Sequence, residues 1–107
     1  LKMPWLELEG QTVEVDERGF LQDPSKWNEG IAKAFAKMEG VKELTEDHWK
    51  VIYYLRNYYL ANGICPPIRR LVKEVGLSLK RIWELFPNGP AQSACKWAGI
   101  PKPTGCV

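Results

Sequence analysis

Between residues 23 and 98 the chain is cut into stretches of helical length by start and stop signals, and each stretch carries an apolar stripe. That punctuation leaves little room for any fold but a small helical bundle. Asp23-Pro24-Ser25 predicts a first helix, with Trp27, Ile31, Ala34, Phe35 and Met38 on one face and Gly40 as its stop. Thr45 caps a second, Glu46 and Asp47 suit its positive end, and Trp49, Ile52, Leu55, Tyr59 and Leu60 follow before the Asn62-Gly63 stop. Pro66-Pro67 opens a third, carrying Ile68, Leu71, Val72 and Val75 up to Gly76. Ser78 caps a fourth, with Leu79, Ile82, Trp83, Leu85 and Phe86, closed by Pro87, and Pro90 starts a short fifth that runs to about Ala98.

The two ends read differently. Over residues 5–21 the period is two: Leu6 and Leu8 alternate with Glu7 and Glu9, and Val13 and Val15 with Thr12, Glu14 and Asp16. Gly10-Gln11 turns one run into the other, which predicts an N-terminal β-hairpin, and Phe20 and Leu21 add a short extension after Glu17-Arg18-Gly19. Residues 99–107 hold two glycines and two prolines, a composition that regular helix or central strand does not tolerate. The expected organisation is one domain, 1–107: a mainly α (α+β) body over 1–94 with its hairpin, then a flexible arm over 95–107 that stays outside the core.

The 107 residues suffice for one modest core, and five tryptophans, four tyrosines and three phenylalanines give it bulky side chains. A net charge of +2 demands neither nucleic acid nor an anionic membrane as partner. No apolar run approaches the roughly 20 residues of a membrane helix, and Leu1-Lys2-Met3-Pro4-Trp5 lacks the apolar stretch of a signal peptide. The absence of an initiating Met at position 1 leads us to expect a chain that is trimmed or begins late. Three cysteines, an odd and sparse set, point to a reducing cytoplasm rather than a disulfide scaffold.

Chemistry concentrates in Cys95 and Cys106. Ten residues separate them, enough to span on the order of 35 Å when extended. Folded back, they would close a loop whose disulfide contributes roughly 3 kcal/mol. Cys106 at the end of a mobile rope could reach a partner and return to Cys95, which could attack a sulfur held on Cys106 by thiol exchange. The nucleophile is the thiolate, and the neighbouring terminal carboxylate opposes it. Lys102 and Lys96 offset that charge, and Arg69 and Arg70 are candidates for a basic groove. The plain alternative is a buried Cys95 and an idle Cys106. One histidine and no Cys-x-x-Cys argue against a metal site, and a cysteine two from the end does not fit prenylation.

The segment Ala98-Gly99-Ile100-Pro101-Lys102-Pro103-Thr104-Gly105-Cys106-Val107 resembles the tail of the DsrC/TusE family. The likeness continues through Leu85-Phe86-Pro87-Asn88-Gly89-Pro90, Cys95-Lys96, Leu44-Thr45-Glu46-Asp47-His48-Trp49 and Val15-Asp16-Glu17-Arg18-Gly19-Phe20-Leu21. It implies a gamma subunit and protein co-substrate of dissimilatory sulfite reductase, with a compact helical body and a swinging arm. Cys106 would reach the sirohaem site of the catalytic alpha and beta subunits. Sulfur would then be held between Cys95 and Cys106 as a trisulfide and reduced by a membrane-associated electron-transfer complex. Sirohaem and iron–sulfur clusters would sit on partners, with no cofactor or metal on this chain, which is therefore not a stand-alone catalyst. The TusE branch, a persulfide relay toward tRNA thiolation, keeps only the penultimate cysteine, so Cys95 favours the reductase branch. Arg69 and Lys73 match basic positions of the family and are expected to guide the arm. Cys65 is expected to be a core cysteine.

Two other features are weighed against ordinary structural roles. His48, in the first turn of a helix, is expected to cap or to face solvent rather than to catalyse. The third and fourth helices resemble a helix-turn-helix that would present Lys80, Arg81 and Glu84 to a major groove. Two bases and one acid make a poor phosphate footprint, so a DNA-binding regulator stands as an alternative only.

Overall fold

The computed structural model describes residues 5–8, 10–16 and 19–100. Strands β1 (Trp5–Leu8) and β2 (Gln11–Glu14) pair antiparallel, Trp5 opposite Glu14 and Leu8 opposite Gln11. The two-residue period carries Val13 and Val15 inward, and Val15 bridges to Leu21 so that Phe20 and Leu21 reach the core. The Asp16 carboxylate accepts the Phe20 N–H at 2.9 Å and holds that turn.

The first helix starts later than its Pro signal. Asp23-Pro24-Ser25 forms only a 3-10 turn (Pro24–Lys26), and α1 (Glu29–Met38) is capped by Asn28, whose side chain accepts the Ile31 N–H. Trp27 lies between the two in extended backbone and does not share the helix stripe. Ile31, Ala32, Phe35 and Ala36 are buried, whereas Met38 is exposed at the helix end. Helix α2 (Glu46–Asn62) buries Val51, Ile52 and Leu55 and leaves Leu60 outside. Helices α3 (Ile68–Val75) and α4 (Leu79–Leu85) form the expected pair, joined through left-handed Gly76 and the Ser78 cap. Leu79 and Trp83 of α4 are exposed because a seven-residue helix turns only part of its surface to the core.

The largest departures lie at the C-terminal end. Pro90–Ala94 is a turn of π-helix, closed by the Cys95 N–H donating to the Pro90 carbonyl, and α5 (Cys95–Trp97) comes directly after it. Cys95, Trp97, Ala98 and Ile100 are all fully buried. The expected arm boundary at residue 95 is therefore too early, because residues 95–100 belong to the core. Residues 101–107, with Lys102 and Cys106, lie outside the described residues.

Trp97 packs its ring against both His48 (centroids 6.1 Å apart) and Phe86 (4.9 Å), which also meet each other edge-on at 5.3 Å. His48 is buried as well as capping. The hydrogen-bond geometry assigns Nε2–H as donor to the Leu85 carbonyl at 2.9 Å, while Nδ1 accepts the Thr45 N–H at 2.9 Å. These bonds fit the neutral imidazole, and burial holds its pKa below the usual histidine value.

Gly99 has φ 73°, and a Cβ there would run into the Trp27 ring. Gly99→Ala is expected to cost about 2–4 kcal/mol through left-handed strain and overpacking, read as a lower denaturant midpoint. The unfolded chain binds a proton at His48 more readily than the native one. Stability should therefore fall as pH drops below about 6.5, and His48→Gln should flatten that slope in Tm measured against pH.

Candidate functional site: a buried thiol at the base of the C-terminal segment

Cys95 begins α5 directly after the π turn. Its thiol is free, fully buried, and pushed up to about 12 by desolvation. Almost none of it is thiolate near neutral pH, so in this packing it is a store of a protonated thiol and not an attacking group.

Two clamps hold it there. The first centres on Glu39, the residue that closes α1. Its Oε1 accepts from Ser93 Oγ at 2.5 Å and from Asn88 Nδ2 at 3.1 Å, and its Oε2 accepts from Trp97 Nε1 at 3.1 Å. Ser93 Oγ in turn accepts the Asn88 N–H at 2.9 Å. One carboxylate thus ties both flanks of Cys95, the π turn and α5, to the end of another helix. π turns are costly and cluster at functional positions, and here the wide turn brings Ser93 to Glu39.

The second clamp fixes the backbone leaving α5. Trp27 Nε1 donates to the Trp97 carbonyl at 2.7 Å. Arg56 donates through Nη1 to the Ala98 carbonyl at 3.1 Å and through Nη2 to the Pro24 carbonyl at 2.7 Å. The Arg56 guanidinium lies over the Trp27 ring at 4.4 Å. Ile100 donates its N–H back to the Cys95 carbonyl at 3.3 Å, so the chain is pinned up to Ile100.

The other predicted residues are distributed around the body. Arg69 and Lys73 lie on α3 and, with Arg70 and Glu74, line a surface hollow of about 430 Å³. A neighbouring hollow of about 480 Å³ is lined by Pro67, Ile68, Arg69 and Arg70, so one basic rim serves both. Lys96 turns toward the hairpin, 5.3 Å from the Phe20 ring. Cys65 is buried, as expected of a core cysteine, but it is not a free thiol. It is only 5% exposed, yet it lies outside the main core cluster and is disulfide-bonded. It lies on the loop that joins α2 to α3. Arg81 pairs with Asp47 at 3.3 Å and Glu84 at 3.5 Å. Among the described residues no group of His, Cys, Asp and Glu could hold a metal ion, and no helix could cross a membrane.

Glu39, Trp27 and Arg56 escaped sequence reasoning. Trp27 read as a stripe residue and Glu39 as nothing in particular, and their partners lie 49 to 70 positions away along the chain. Only Arg56, placed beside the apolar stripe of α2, carried a faint signal.

Fold and site together define a small helical thiol protein with one sequestered cysteine and a basic rim. A family model described as "DsrC like protein" matches residues 7–107, and the chain belongs to that family. The dissimilatory-type sulfite reductase subunit gamma of Nitratidesulfovibrio vulgaris is 47% identical over 98 residues, covering 92% of this chain and 93% of the relative. The sulfurtransferase TusE of Pectobacterium atrosepticum is 43% identical over 110 residues, covering 95% of this chain and 99% of its own. The crystal structure of the oxidized gamma subunit (DsrC) from Archaeoglobus fulgidus superposes with a TM-score of 0.86 at 46% identity, covering 97% of this chain and 100% of that one.

Glu39→Ala is expected to loosen both flanks of Cys95. The rate of Cys95 alkylation by iodoacetamide should rise at least tenfold, followed on the tryptic peptide 82–96, while the far-ultraviolet circular dichroism stays helical.

Proposed function

We propose that this chain is a cytoplasmic sulfur carrier that acts as gamma subunit and co-substrate of a dissimilatory sulfite reductase. Cys106 is the residue that takes the sulfur, and Cys95 is its partner in a Cys95–Cys106 trisulfide. The observation that carries the reading is the buried, free Cys95 at the root of the C-terminal segment. A protonated thiol kept out of solvent is protected from stray oxidation and becomes available only when its surroundings open. The likeness to a reductase gamma subunit supports the catalytic alpha and beta subunits as partners. Sirohaem and iron–sulfur clusters belong to those subunits in this reading, and a membrane-associated complex reduces the loaded carrier. Arg69, Lys73 and Lys102 guide the segment by charge.

One observation favours a second reading. Because Cys95 is sequestered and its pKa is raised to about 12, sulfur could remain on Cys106 alone as a persulfide, as in a relay toward tRNA thiolation. The likeness to TusE supports that branch. A DNA-binding role is less well supported. Arg81 is tied to Asp47 and Glu84, and α4 is only seven residues long.

Intact-mass analysis after incubation with the reductase, sulfite and a reductant separates these readings. A trisulfide carrier gains one sulfur that is lost in both Cys95→Ala and Cys106→Ala. A persulfide relay keeps its adduct without Cys95. No adduct in any form, with the reductase active, would sink the carrier reading.

A further inference from the structure

Several cations of this chain are satisfied by the chain itself. Arg56 donates to two backbone carbonyls, Arg81 pairs with Asp47 and Glu84, and Lys96 lies against the Phe20 ring. Arg69, Arg70 and Lys73 differ. All three are exposed on α3, and none makes an ion pair among the described residues. Between them they line the two hollows of about 430 and 480 Å³, where Glu74 is the one acid of the lining. Three cations against one carboxylate leave an excess equal to the net charge of +2 of the whole chain, so the remainder balances and this rim does not.

Spacing and support suit carboxylates. Arg69 and Lys73 stand one turn apart on the same face of α3, a rise of about 6 Å. Alternate side chains of an extended segment are separated by about 6.8 Å, a matching interval. The Arg70 guanidinium lies 6.0 Å over the Tyr58 ring of α2, which in turn meets the Tyr54 ring, so an aromatic pair supports it. A guanidinium fork takes a carboxylate through two parallel hydrogen bonds. At the start of α3, Pro67 and Ile68 give the second hollow apolar walls. Apolar walls suit the side chains of a peptide, whereas a phosphodiester run needs many cations and would meet the Glu74 carboxylate. None of the residues that build the two clamps around Cys95 lies on α3, so a partner held there grips neither clamp.

We propose that the hollows along α3 are the docking site for an acidic segment of the catalytic alpha and beta subunits. Arg69, Arg70 and Lys73 take its carboxylates, and Pro67 and Ile68 take its apolar side chains. The proposal rests on the carrier reading, which supplies those subunits, and it names the surface by which they hold the body of this chain. The attraction acts between exposed groups, so it speeds encounter and weakens as salt is raised.

Binding of the full chain to the catalytic alpha and beta subunits is measured by biolayer interferometry, for wild type and two charge-matched variants. The rim variant carries Arg69→Glu, Arg70→Glu and Lys73→Glu. The control carries Lys33→Glu, Lys50→Glu and Lys80→Glu, three exposed lysines on other helices. The rim variant should bind at least about tenfold more weakly than wild type, and the control should stay within about twofold of it. Equal affinity of the two variants would overturn the proposal, because net charge rather than this rim would then set binding. Competition on wild type needs no substitution, so a misfolded variant does not blur the result. Hexaglutamate should displace the subunits. No displacement, or displacement by polyuridylate at an about tenfold lower concentration of charge, would overturn the acidic segment as occupant. If wild type forms no complex with the subunits, labelled hexaglutamate followed by fluorescence anisotropy separates the two claims. Binding by wild type and control but not by the rim variant would remove the reductase reading and support the acid-binding rim, whereas no binding by any form would overturn both.

Discussion

The burial of Trp97 is the constraint on which the rest of this structure depends. Its ring completes a three-ring cluster with His48 and Phe86, joining α2 to the segment beyond α4. Its indole N–H reaches Glu39 and its carbonyl takes the Trp27 N–H, so α1 and the segment before it close on the same residue. A buried indole needs such an acceptor, since an unsatisfied donor costs about 1–3 kcal/mol. Satisfying it fixes Glu39, and fixing Glu39 sets the π turn through Ser93 and Asn88.

Cys95 inherits its chemistry from that closure. Nothing about a cysteine at the start of a short helix raises its pKa, and a helix N-terminus would ordinarily lower it. Here the neighbouring Trp97, Ala98 and Ile100 exclude water from it, and desolvation prevails. Reactivity at this position is therefore a property of local opening. The same closure fixes the backbone that follows α5. Trp27, Arg56 and Gly99 form a collar that holds the backbone up to Ile100.

Charge is arranged to match. Arg69, Arg70 and Lys73 gather on α3, away from the acids that hold Arg81 on α4. A near-neutral chain thus presents a local basic rim, which net charge alone does not reveal. Salt weakens such exposed charges.

Much of the architecture was legible in the sequence because its signals are local. Thr45 and Ser78 cap where their side chains can accept a nearby N–H, Gly63 and Gly76 stop helices in left-handed backbone, and the two-residue period of the hairpin needs only its own strands. The cysteine pair and the basic residues of α3 were visible for the same reason, as residue types at readable spacings. Asp23-Pro24 misled because a 3-10 turn and an α-helix share their start signal, and the Asn28 cap takes over once Trp27 turns aside to meet Trp97. Ile100 read as tail because glycine and proline surround it, yet a collar built from residues 27 and 56 draws it into the core. The sequence by itself determined the elements and the presence of the thiols. Only the tertiary structure decided how Cys95 is sealed from solvent and how the backbone is held up to Ile100, because desolvation and the Glu39 and Arg56 contacts join residues with no common local pattern.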